Sequence, residues 1–284
     1  MPLEARALLK KYSLFAKKSW GQNFLVDERS FRAIVDACAI EAGDQVIEIG
    51  AGLGTLTDRL AAHAARVIAV ERDRDMAAIL RAELGENPRV EIAEANALTF
   101  DYAEVADRIG RKPIVCGNLP YQIASPILFR LLDARAKIRR VVIMLQREMA
   151  DRIVAAPSTP EYGALSVMVA MSGRAKLIAR VPAGAFVPAP RVASAVLRIE
   201  PFEGGAPRAP VPDEPLFSKV VHAAFNQRRK TLRNALRAAF DDWDDATFAR
   251  AEIDPQRRGE TLSVEEFAAL TRAIAAIAGA TPRA

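Results

Sequence analysis

The sequence predicts an α/β protein, with a doubly wound parallel sheet followed by a small domain that is entirely helical. Short β-branched runs alternate with amphipathic helical stretches over the first two-thirds of the 284 residues. A stretch rich in proline and glycine follows, and beyond it the apolar residues repeat only with helical spacing. Alternation of strands and helices is typical of parallel sheets with right-handed crossovers.

Five near-continuous apolar runs have the composition of strands that are covered on both faces. They are Val46–Ile49, Val67–Val70, Val90–Ala93, Ile114–Cys116 and Val141–Leu145. Helical patterns separate them, including Asp75–Leu84 and Pro126–Leu132, the second with proline in its first turn. Two later β-like runs, Leu165–Met171 and Ala195–Ile199, have no clear helix between them, and we expect an antiparallel hairpin at one edge of the sheet.

The proline- and glycine-rich stretch, residues 201–215, is predicted to be a linker between two domains, residues 1–200 and 201–284. In the helical domain we expect one apolar stripe and a separate arginine face. The stripe is Val221, Phe225, Leu232, Leu236 and Phe240, and the arginines are Arg229, Arg233 and Arg237. Ser263 and Glu266 match a capping box at the start of the last helix, with Leu262 and Phe267 placed for a hydrophobic staple.

The charge distribution favours a polyanionic partner. The net charge is +5, and basic residues collect in two clusters at opposite ends of the chain. The first cluster is Lys10, Lys11, Lys17 and Lys18, and the second is Lys219, Arg228, Arg229, Lys230, Arg233 and Arg237. A single charge run usually marks only a solvated surface, but two clusters together indicate nucleic-acid binding.

Other classes of protein are disfavoured by the composition. No apolar run is long enough to span a bilayer, and the first 18 residues lack the apolar region of a secretory signal, so we expect a cytoplasmic protein without a membrane partner. Cys38 and Cys116 have no CxxC partners and are predicted to be buried thiols. Two histidines cannot form a histidine-rich metal cluster, so we expect no metal cofactor, and nothing in the pattern indicates more than a monomer.

A glycine-rich segment lies between the first strand and the helix that follows it. Glycine lets a ligand approach the backbone closely, here at the carboxyl edge of the sheet where doubly wound folds bind ligands. The spacing is GxGxG, formed by Gly50, Gly52 and Gly54. A nicotinamide dinucleotide site requires GxGxxG, and Thr55 occupies its third glycine position. The pattern instead resembles motif I of class I methyltransferases.

Two polar residues follow the next strands. Glu71 ends the second strand, where a carboxylate accepts hydrogen bonds from both ribose hydroxyls of a nucleoside, whether NAD or S-adenosylmethionine. Asn96 follows the third strand, where similar methyltransferases usually have an aspartate that accepts from the adenine amino group. Asparagine keeps an acceptor oxygen without the charge, so we expect adenine binding to be retained.

The tetrapeptide Asn118-Leu119-Pro120-Tyr121 ends an apolar strand and matches the (Asp/Asn)-x-Pro-(Tyr/Phe) motif of amino-group methyltransferases. An adenine exocyclic nitrogen is a poor nucleophile, because its lone pair is delocalised into the ring. By resemblance, the Asn118 side-chain oxygen and the Leu119 carbonyl accept from its two N–H groups. Pro120 biases Leu119 toward an extended conformation, and Tyr121 offers a face for stacking. A simple strand-terminating turn explains the tetrapeptide alone, but not its order after the glycine loop and Glu71.

The sequence as a whole resembles the bacterial small-subunit (16S) ribosomal RNA adenine N6,N6-dimethyltransferase family. Residues 17–25 look like that family's N-terminal signature, with Trp20 where leucine is usual. The signature places Gln22, Asn23 and Leu25 against the methyl donor.

Three later segments extend the resemblance over nearly the whole chain. Residues 186–196 are similar to the family's Phe-x-Pro-x-Pro segment, with Ala193 in place of the usual aspartate, and the likeness makes Phe186 a second aromatic wall for the target base. Residues 224–236 and 258–267 are also similar to the family. The resemblance implies S-adenosylmethionine as cofactor, without metal. It also implies dimethylation of two adjacent adenosines near the 3′ end of 16S RNA in an assembling small subunit, with the helical domain holding RNA phosphates.

Three alternatives stay open at this stage. A large-subunit RNA methyltransferase of the macrolide-resistance type shares the fold, loop and tetrapeptide, but the arginine-rich and Gly-Glu-Thr-Leu segments disfavour it. A ribosome-assembly factor with secondary or lost activity is compatible with the Asn96 and Ala193 departures, although Asn118 and Tyr121 favour retained activity. A nicotinamide oxidoreductase is disfavoured by Thr55.

Overall fold

A computed structural model describes residues 2–14, 22–240 and 246–278 of the chain. The strands are β1 (Phe24–Leu25), β2 (Gln45–Ile49), β3 (Arg66–Glu71), β4 (Val90–Glu94), β5 (Ile114–Asn118), β6 (Arg140–Gln146), β7 (Gly173–Val181), β8 (Phe186–Val187) and β9 (Ser194–Pro201). The helices are α1 (Ala5–Lys11), α2 (Glu28–Cys38), α3 (Thr55–Ala61), α4 (Arg74–Leu84), α5 (Tyr102–Ile109), α6 (Ala124–Asp133), α7 (Arg147–Ile153), α8 (Ala164–Ser172), α9 (Glu214–Asn226), α10 (Leu232–Arg237), α11 (Ala246–Ala251) and α12 (Val264–Ala278).

The central sheet has seven strands in the order β4-β3-β2-β5-β6-β9-β7. The pairs β3–β4, β2–β3, β2–β5 and β5–β6 are parallel, and β9 pairs antiparallel with β6. The five predicted strands are therefore confirmed as the parallel part of a doubly wound sheet. The strand order reverses between β2 and β5, so the carboxyl ends of these two strands flank the crevice in which such folds bind ligands.

Aspartate caps fix the helices that follow the strands. The Asp73 side chain accepts from the Asp75 amide at the start of α4, two residues after β3 ends. Asp101 accepts from two amides at the start of α5. A cap of this kind satisfies amide groups that have no partner within the helix, so each helix begins at a defined point after its strand.

The described chain separates into two compact units of two segments each. Residues 1–150 and 175–205 form the sheet unit, and residues 151–174 and 206–284 form the helical unit. The predicted boundary at residue 200 lies near the crossing at 205. However, residues 151–174, which the sequence assigned to the first domain, belong to the helical unit. Their apolar side chains explain this, because Tyr162, Val167 and Met171 lie in the same core as Phe217 and Phe267.

The predicted hairpin of Leu165–Met171 with Ala195–Ile199 is wrong in its first half. Residues 165–171 lie within helix α8, whereas 195–199 lie in β9 as expected. The neighbour of β9 at the sheet edge is β7, which the sequence analysis did not identify. An unbroken apolar run has no periodicity, so it does not distinguish a buried strand from a buried helix.

The helical unit also interrupts the predicted apolar stripe. Helix α9 ends at Asn226 and α10 begins at Leu232, so Arg229 lies in the intervening turn and only Arg233 and Arg237 share a helix. The amide of Leu232 donates to the Arg257 carbonyl, which satisfies one donor at the start of the second helix.

The predicted capping box of the last helix is confirmed. The Ser263 amide donates to Glu266 Oε2 at 2.7 Å, and the Glu266 amide donates to Ser263 Oγ at 3.2 Å. Leu262 and Phe267, the residues placed for the staple, are both buried in the core of this unit. In the sheet unit, Cys38 and Cys116 are buried free thiols, as predicted. Within the described ranges, no helix is both long and apolar enough to cross a membrane.

Candidate active site

A cavity of about 380 Å³ opens in the sheet unit at the carboxyl ends of the parallel strands. It is lined by loop residues that follow β2, β3, β4 and β5, together with residues 22–25. The sequence-predicted residues that line it are Gln22, Asn23, Leu25, Gly50, Gly52, Glu71, Asn96, Asn118, Leu119, Pro120 and Tyr121. Two predicted residues, Gly54 and Phe186, do not line it. The N-terminal signature residues Lys17 to Gly21 lie outside the described part of the chain.

The glycine loop uses conformations that suit glycine. Gly50, Gly52 and Gly54 have φ values of +70°, +55° and +79°, in the left-handed region that other residues rarely adopt. Gly54 is the N-cap residue of α3, and a Cβ on it would lie 2.9 Å from the side chains of both Leu80 and Leu84. Its role is therefore to let the loop pack against α4, while Gly50 and Gly52 face the cavity.

Glu71 is held by the loop that it faces. Its Oε2 accepts from the Gly52 amide at 2.8 Å, and its Oε1 accepts from the Asp73 amide at 2.7 Å. Burial raises the pKa of this carboxyl above its usual value, and the backbone hydrogen bonds oppose that rise. Each carboxylate oxygen accepts more than one hydrogen bond, so the fixed side chain keeps capacity for ribose hydroxyls.

Asn96 and Gln22 form defined hydrogen bonds beside this carboxylate. The Asn96 Oδ1 atom accepts from the Leu98 amide at 3.1 Å, which fixes the side-chain amide after β4. An amide oxygen has two lone pairs, so one acceptor position is left over. Gln22 donates from Nε2 to Asp73 Oδ2 at 3.0 Å, which ties the segment before β1 to the cap of α4.

The tetrapeptide after β5 is anchored at its first two residues. The Asn118 side chain donates from Nδ2 to the Asn23 carbonyl at 3.2 Å, and the Leu119 amide donates to the Met144 carbonyl at 3.0 Å. With its amide nitrogen engaged, Asn118 presents Oδ1 as its remaining polar atom. Pro120 continues the chain with φ −58° and ψ 125°, before a short 3₁₀ turn that begins at Tyr121.

A close strand approach brings the tetrapeptide next to the glycine loop. Gly117 and Ile49 are partners in the parallel β2–β5 pair. A Cβ on Gly117 would lie 2.4 Å from the Ile49 carbonyl oxygen, far inside van der Waals contact. Only glycine fits this close approach, which places Asn118 beside Gly50, the first glycine of the loop.

Phe186 is a core residue in this structure. Its side chain is 3% exposed and packs in a cluster that includes Leu25 and Phe31. Strand β8 pairs antiparallel with β1, where Phe186 is the partner of Leu25, a residue that does line the cavity. The ring therefore supports the cavity wall from behind Leu25, and its contact with a target base stays a prediction.

Glu48, inside the predicted strand Val46–Ile49, is a cavity residue to which the sequence pattern assigned no role. It is 2% exposed, and burial, with the nearby charge of Glu71, raises its pKa to about 8. Thr57 lies beside Glu48 and opposes this rise in pKa, although neither Glu48 Oε2 nor Thr57 Oγ1 has a hydrogen bond of normal geometry among the described residues. The available signal was an acidic residue inside an otherwise apolar buried strand, which is rare unless the group has a function.

Solved structures share this fold. A dimethyladenosine transferase from Plasmodium falciparum has a TM-score of 0.75, with 22% identity, over 90% of this chain and 98% of that one. The 23S rRNA methyltransferase ErmE has a TM-score of 0.68, with 24% identity, over 89% of this chain and 100% of that one. The doubly wound sheet with a cavity at its switch point is the fold that this chain shares with those two methyltransferases.

The family assignment is more specific. The profile of the ribosomal RNA adenine dimethylase family matches residues 14–276, and the chain belongs to this family. A ribosomal RNA small subunit methyltransferase A from Anaeromyxobacter sp. (strain K) is 49% identical over 282 residues, which cover 95% of this chain and 97% of that protein. The chain is thus a methyltransferase that dimethylates adenine in ribosomal RNA.

Proposed function

We propose that this enzyme transfers methyl groups from S-adenosylmethionine to N6 of two adjacent adenosines near the 3′ end of 16S rRNA. The substrate is the assembling small subunit, and the enzyme acts as a cytoplasmic monomer. The 49% identity to a small subunit methyltransferase over nearly the whole chain supports this choice of RNA. The observation that most directly supports the proposed reaction is the Asn118–Asn23 hydrogen bond. This bond fixes an acceptor oxygen at the end of β5, beside the cavity.

The cavity suits the proposed cofactor. The fixed carboxylate of Glu71 is matched to ribose hydroxyls, the left-handed glycines Gly50 and Gly52 let a ligand reach the backbone, and Asn96 retains an acceptor for the adenine amino group. Bound S-adenosylmethionine supplies an electrophilic methyl group carried on a sulfonium cation. The same cavity wall contains the buried acid Glu48, and a sulfonium cation bound in the cavity would favour the ionised form of this carboxyl.

The chain's own contribution to transfer is positioning and hydrogen bonding. Asn118 Oδ1 and the Leu119 carbonyl accept from the two N6–H groups, which localises the nitrogen lone pair toward the methyl group. Tyr121 provides a stacking face for an adenosine that has been extruded from its RNA helix. As the new N–C bond forms, the bond between the methyl group and the sulfonium sulfur breaks and S-adenosylhomocysteine is the product. One N6 proton passes to solvent, and no strong general base is required because the nitrogen becomes acidic as it is methylated.

The helical region, including the predicted domain of residues 201–284, is proposed to hold the RNA through phosphate contacts. Arg229, Lys230 and Arg237 are exposed on the turn after α9 and on α10. Arg228 has a different role in this structure, because it donates to the Pro160 and Tyr162 carbonyls and pairs with Glu260 at 3.4 Å. Lys219 lies over the Phe240 ring at 4.5 Å.

The function is tested by incubating the protein with isotopically labelled S-adenosylmethionine and small ribosomal subunits that lack the modification. Large-subunit RNA is treated in parallel, and modified nucleosides are identified by mass spectrometry. We expect N6,N6-dimethyladenosine only in the small-subunit RNA. Label confined to large-subunit RNA would assign the enzyme to the resistance type, and RNA binding without any label would make it an assembly factor.

Asn118→Ala is the matched catalytic control. It removes the acceptor oxygen and the bond to Asn23, while the exposed cations of the helical unit are unchanged. We expect RNA binding close to that of the wild type and no detectable methyl transfer. Normal methylation by this variant would show that the proposed hydrogen-bonding mechanism is wrong.

A further inference from the structure

The far end of the Tyr121 ring is anchored. The Tyr121 hydroxyl and Ser194 Oγ lie 2.7 Å apart, a normal hydrogen-bond distance between two hydroxyl groups. Tyr121 is partly buried and lines the cavity, whereas Ser194 is 0% exposed. Ser194 therefore does not meet a substrate itself, and any effect it has on the reaction passes through Tyr121.

The segments that carry Tyr121 and Ser194 are both hydrogen-bonded to strand β6. Ser194, the first residue of β9, is the antiparallel partner of Gln146 at the end of β6. On the other side of β6, Asn118 is the partner of Met144, and the Leu119 amide bonds to the Met144 carbonyl. The Tyr121 ring thus reaches across the carboxyl end of β6 to a neighbour two strands away from its own.

The residue before Ser194 is held as well, because the Arg147 amide donates to the Ala193 carbonyl at 3.0 Å. A buried hydroxyl without a partner destabilises a protein, so Ser194 favours the Tyr121 rotamer that brings the two hydroxyls together. A tyrosine ring that is attached only at Cβ rotates about two torsions. A hydrogen bond at the para position limits the first torsion, because the hydroxyl oxygen lies on the axis of the second torsion and does not move when the ring turns about it.

We propose that Ser194 is a positioning residue, which fixes the direction of the Tyr121 side chain through their hydroxyl–hydroxyl bond and so holds the ring in the cavity where it stacks on the target adenine. This inference rests on the proposed function, because it assigns Tyr121 the stacking role. The anchoring step itself does not depend on the identity of the RNA.

The anchoring is tested without RNA by placing 3-fluorotyrosine at position 121 and recording its ¹⁹F NMR resonance. We expect Ser194→Ala to shift the resonance toward that of an unrestrained tyrosine. Ser172→Ala is the matched control, since Ser172 is a buried serine whose hydroxyl bonds to the Met168 carbonyl and which does not line the cavity. It should leave the resonance unchanged. An unmoved resonance in Ser194→Ala would overturn the proposal.

The consequence for transfer is tested by a double-mutant cycle on unmethylated small subunits. Ser194→Ala and Tyr121→Phe should each lower the single-turnover rate about fivefold, as expected for loss of one neutral hydrogen bond, with S-adenosylmethionine affinity nearly unchanged. The double variant should be no slower than either single variant. Losses that multiply would mean that the two hydroxyls act independently, and the proposal would fail.

Two other outcomes, a loss of stability in Ser194→Ala and a failure of the proposed function, can each be distinguished from a failure of the anchoring proposal. If Ser194→Ala lowers the melting temperature strongly, Tyr121→Phe still tests the idea, because it leaves β9 intact; an unchanged rate in that variant refutes the proposal. If the wild-type protein labels no RNA while Ser194→Ala moves the fluorine resonance, the proposed function has failed and the anchoring of the ring stands.

Discussion

The Asn118 side-chain amide donates to the backbone carbonyl of Asn23 at 3.2 Å, across 95 residues of sequence. This bond determines which side-chain atom of Asn118 is left for a substrate. The backbone carbonyl is an acceptor only, so it pairs with Nδ2 and not with Oδ1. A residue in the N-terminal signature thereby orients a residue in the catalytic tetrapeptide.

Replacement of Asn118 by aspartate tests this relationship. Asn118→Asp keeps the size and an acceptor oxygen, but it removes the donor and places a carboxylate beside the Asn23 carbonyl. We expect single-turnover methyl transfer to fall roughly tenfold to a hundredfold, the cost of an unsatisfied polar contact. The melting temperature should stay close to that of the wild type. A rate equal to the wild type would mean that Asn23 does not orient this side chain.

The two backbone bonds of Glu71 predict the behaviour of Glu71→Gln. The Gly52 and Asp73 amides donate to different oxygens of Glu71, so in glutamine the NH2 group, which is only a donor, would face one of these two amides. We expect S-adenosylmethionine affinity, measured by titration calorimetry, to fall roughly tenfold or more. Glu94→Gln is the control, because Glu94 also ends a strand but pairs with Arg81 and does not line the cavity. Equal affinities for the two variants would contradict the assignment of Glu71.

Glu48 predicts a pH dependence of stability. Its pKa is about 8 in the folded protein, against a reference value of 4.5, so between these pH values the folded state retains a proton that the unfolded chain has released. The free energy of unfolding therefore falls as pH rises through this window, by at most about 1.4 kcal/mol per pH unit. Glu48→Gln should lack this contribution and gain stability over the wild type toward pH 8. Denaturation curves that shift in parallel at all pH values would contradict the raised pKa.

Gly117 predicts a steric effect on stability. Gly117→Ala places a Cβ against the Ile49 carbonyl, which is backbone and cannot rotate away, so we expect the free energy of unfolding to fall by roughly 2 kcal/mol or more. Gly184→Ala is the control, since a Cβ at that position meets nothing within 4 Å. Urea denaturation of the two variants gives the comparison. Similar stabilities would show that β2 and β5 separate at little cost.

The exposed cations of the helical unit predict how the salt dependence of RNA binding changes when these cations are removed. A variant with Arg229, Lys230 and Arg237 all changed to alanine should bind small-subunit RNA more weakly. The slope of log affinity against log salt concentration should become shallower by about two units, if each cation neutralises one phosphate. Lys112→Ala, an exposed cation just before β5, is the control and should leave the slope unchanged. An unchanged slope in the triple variant would place the RNA elsewhere.

Local sequence patterns were sufficient to predict those elements whose structure has one dominant physical cause. The five parallel strands followed from apolar runs, the start of α12 from its capping box, and the two buried thiols from their apolar surroundings. Local sequence patterns did not predict the structure where the same pattern is compatible with two different structures. The run at 165–171 is apolar throughout and forms α8, and the polar residues 227–231 break a stripe that looked continuous.

The sequence by itself determined the five parallel strands, the glycine loop, the acid after β3 and the tetrapeptide after β5, because each depends on residues adjacent in the chain. Only the tertiary structure decided which of these atoms meet. It buried Phe186 behind Leu25, directed the Asn118 amide to Asn23, and joined Tyr121 to Ser194. Such contacts join residues that are 73 to 161 positions apart, and their geometry is set by strand register and packing, which no local pattern records.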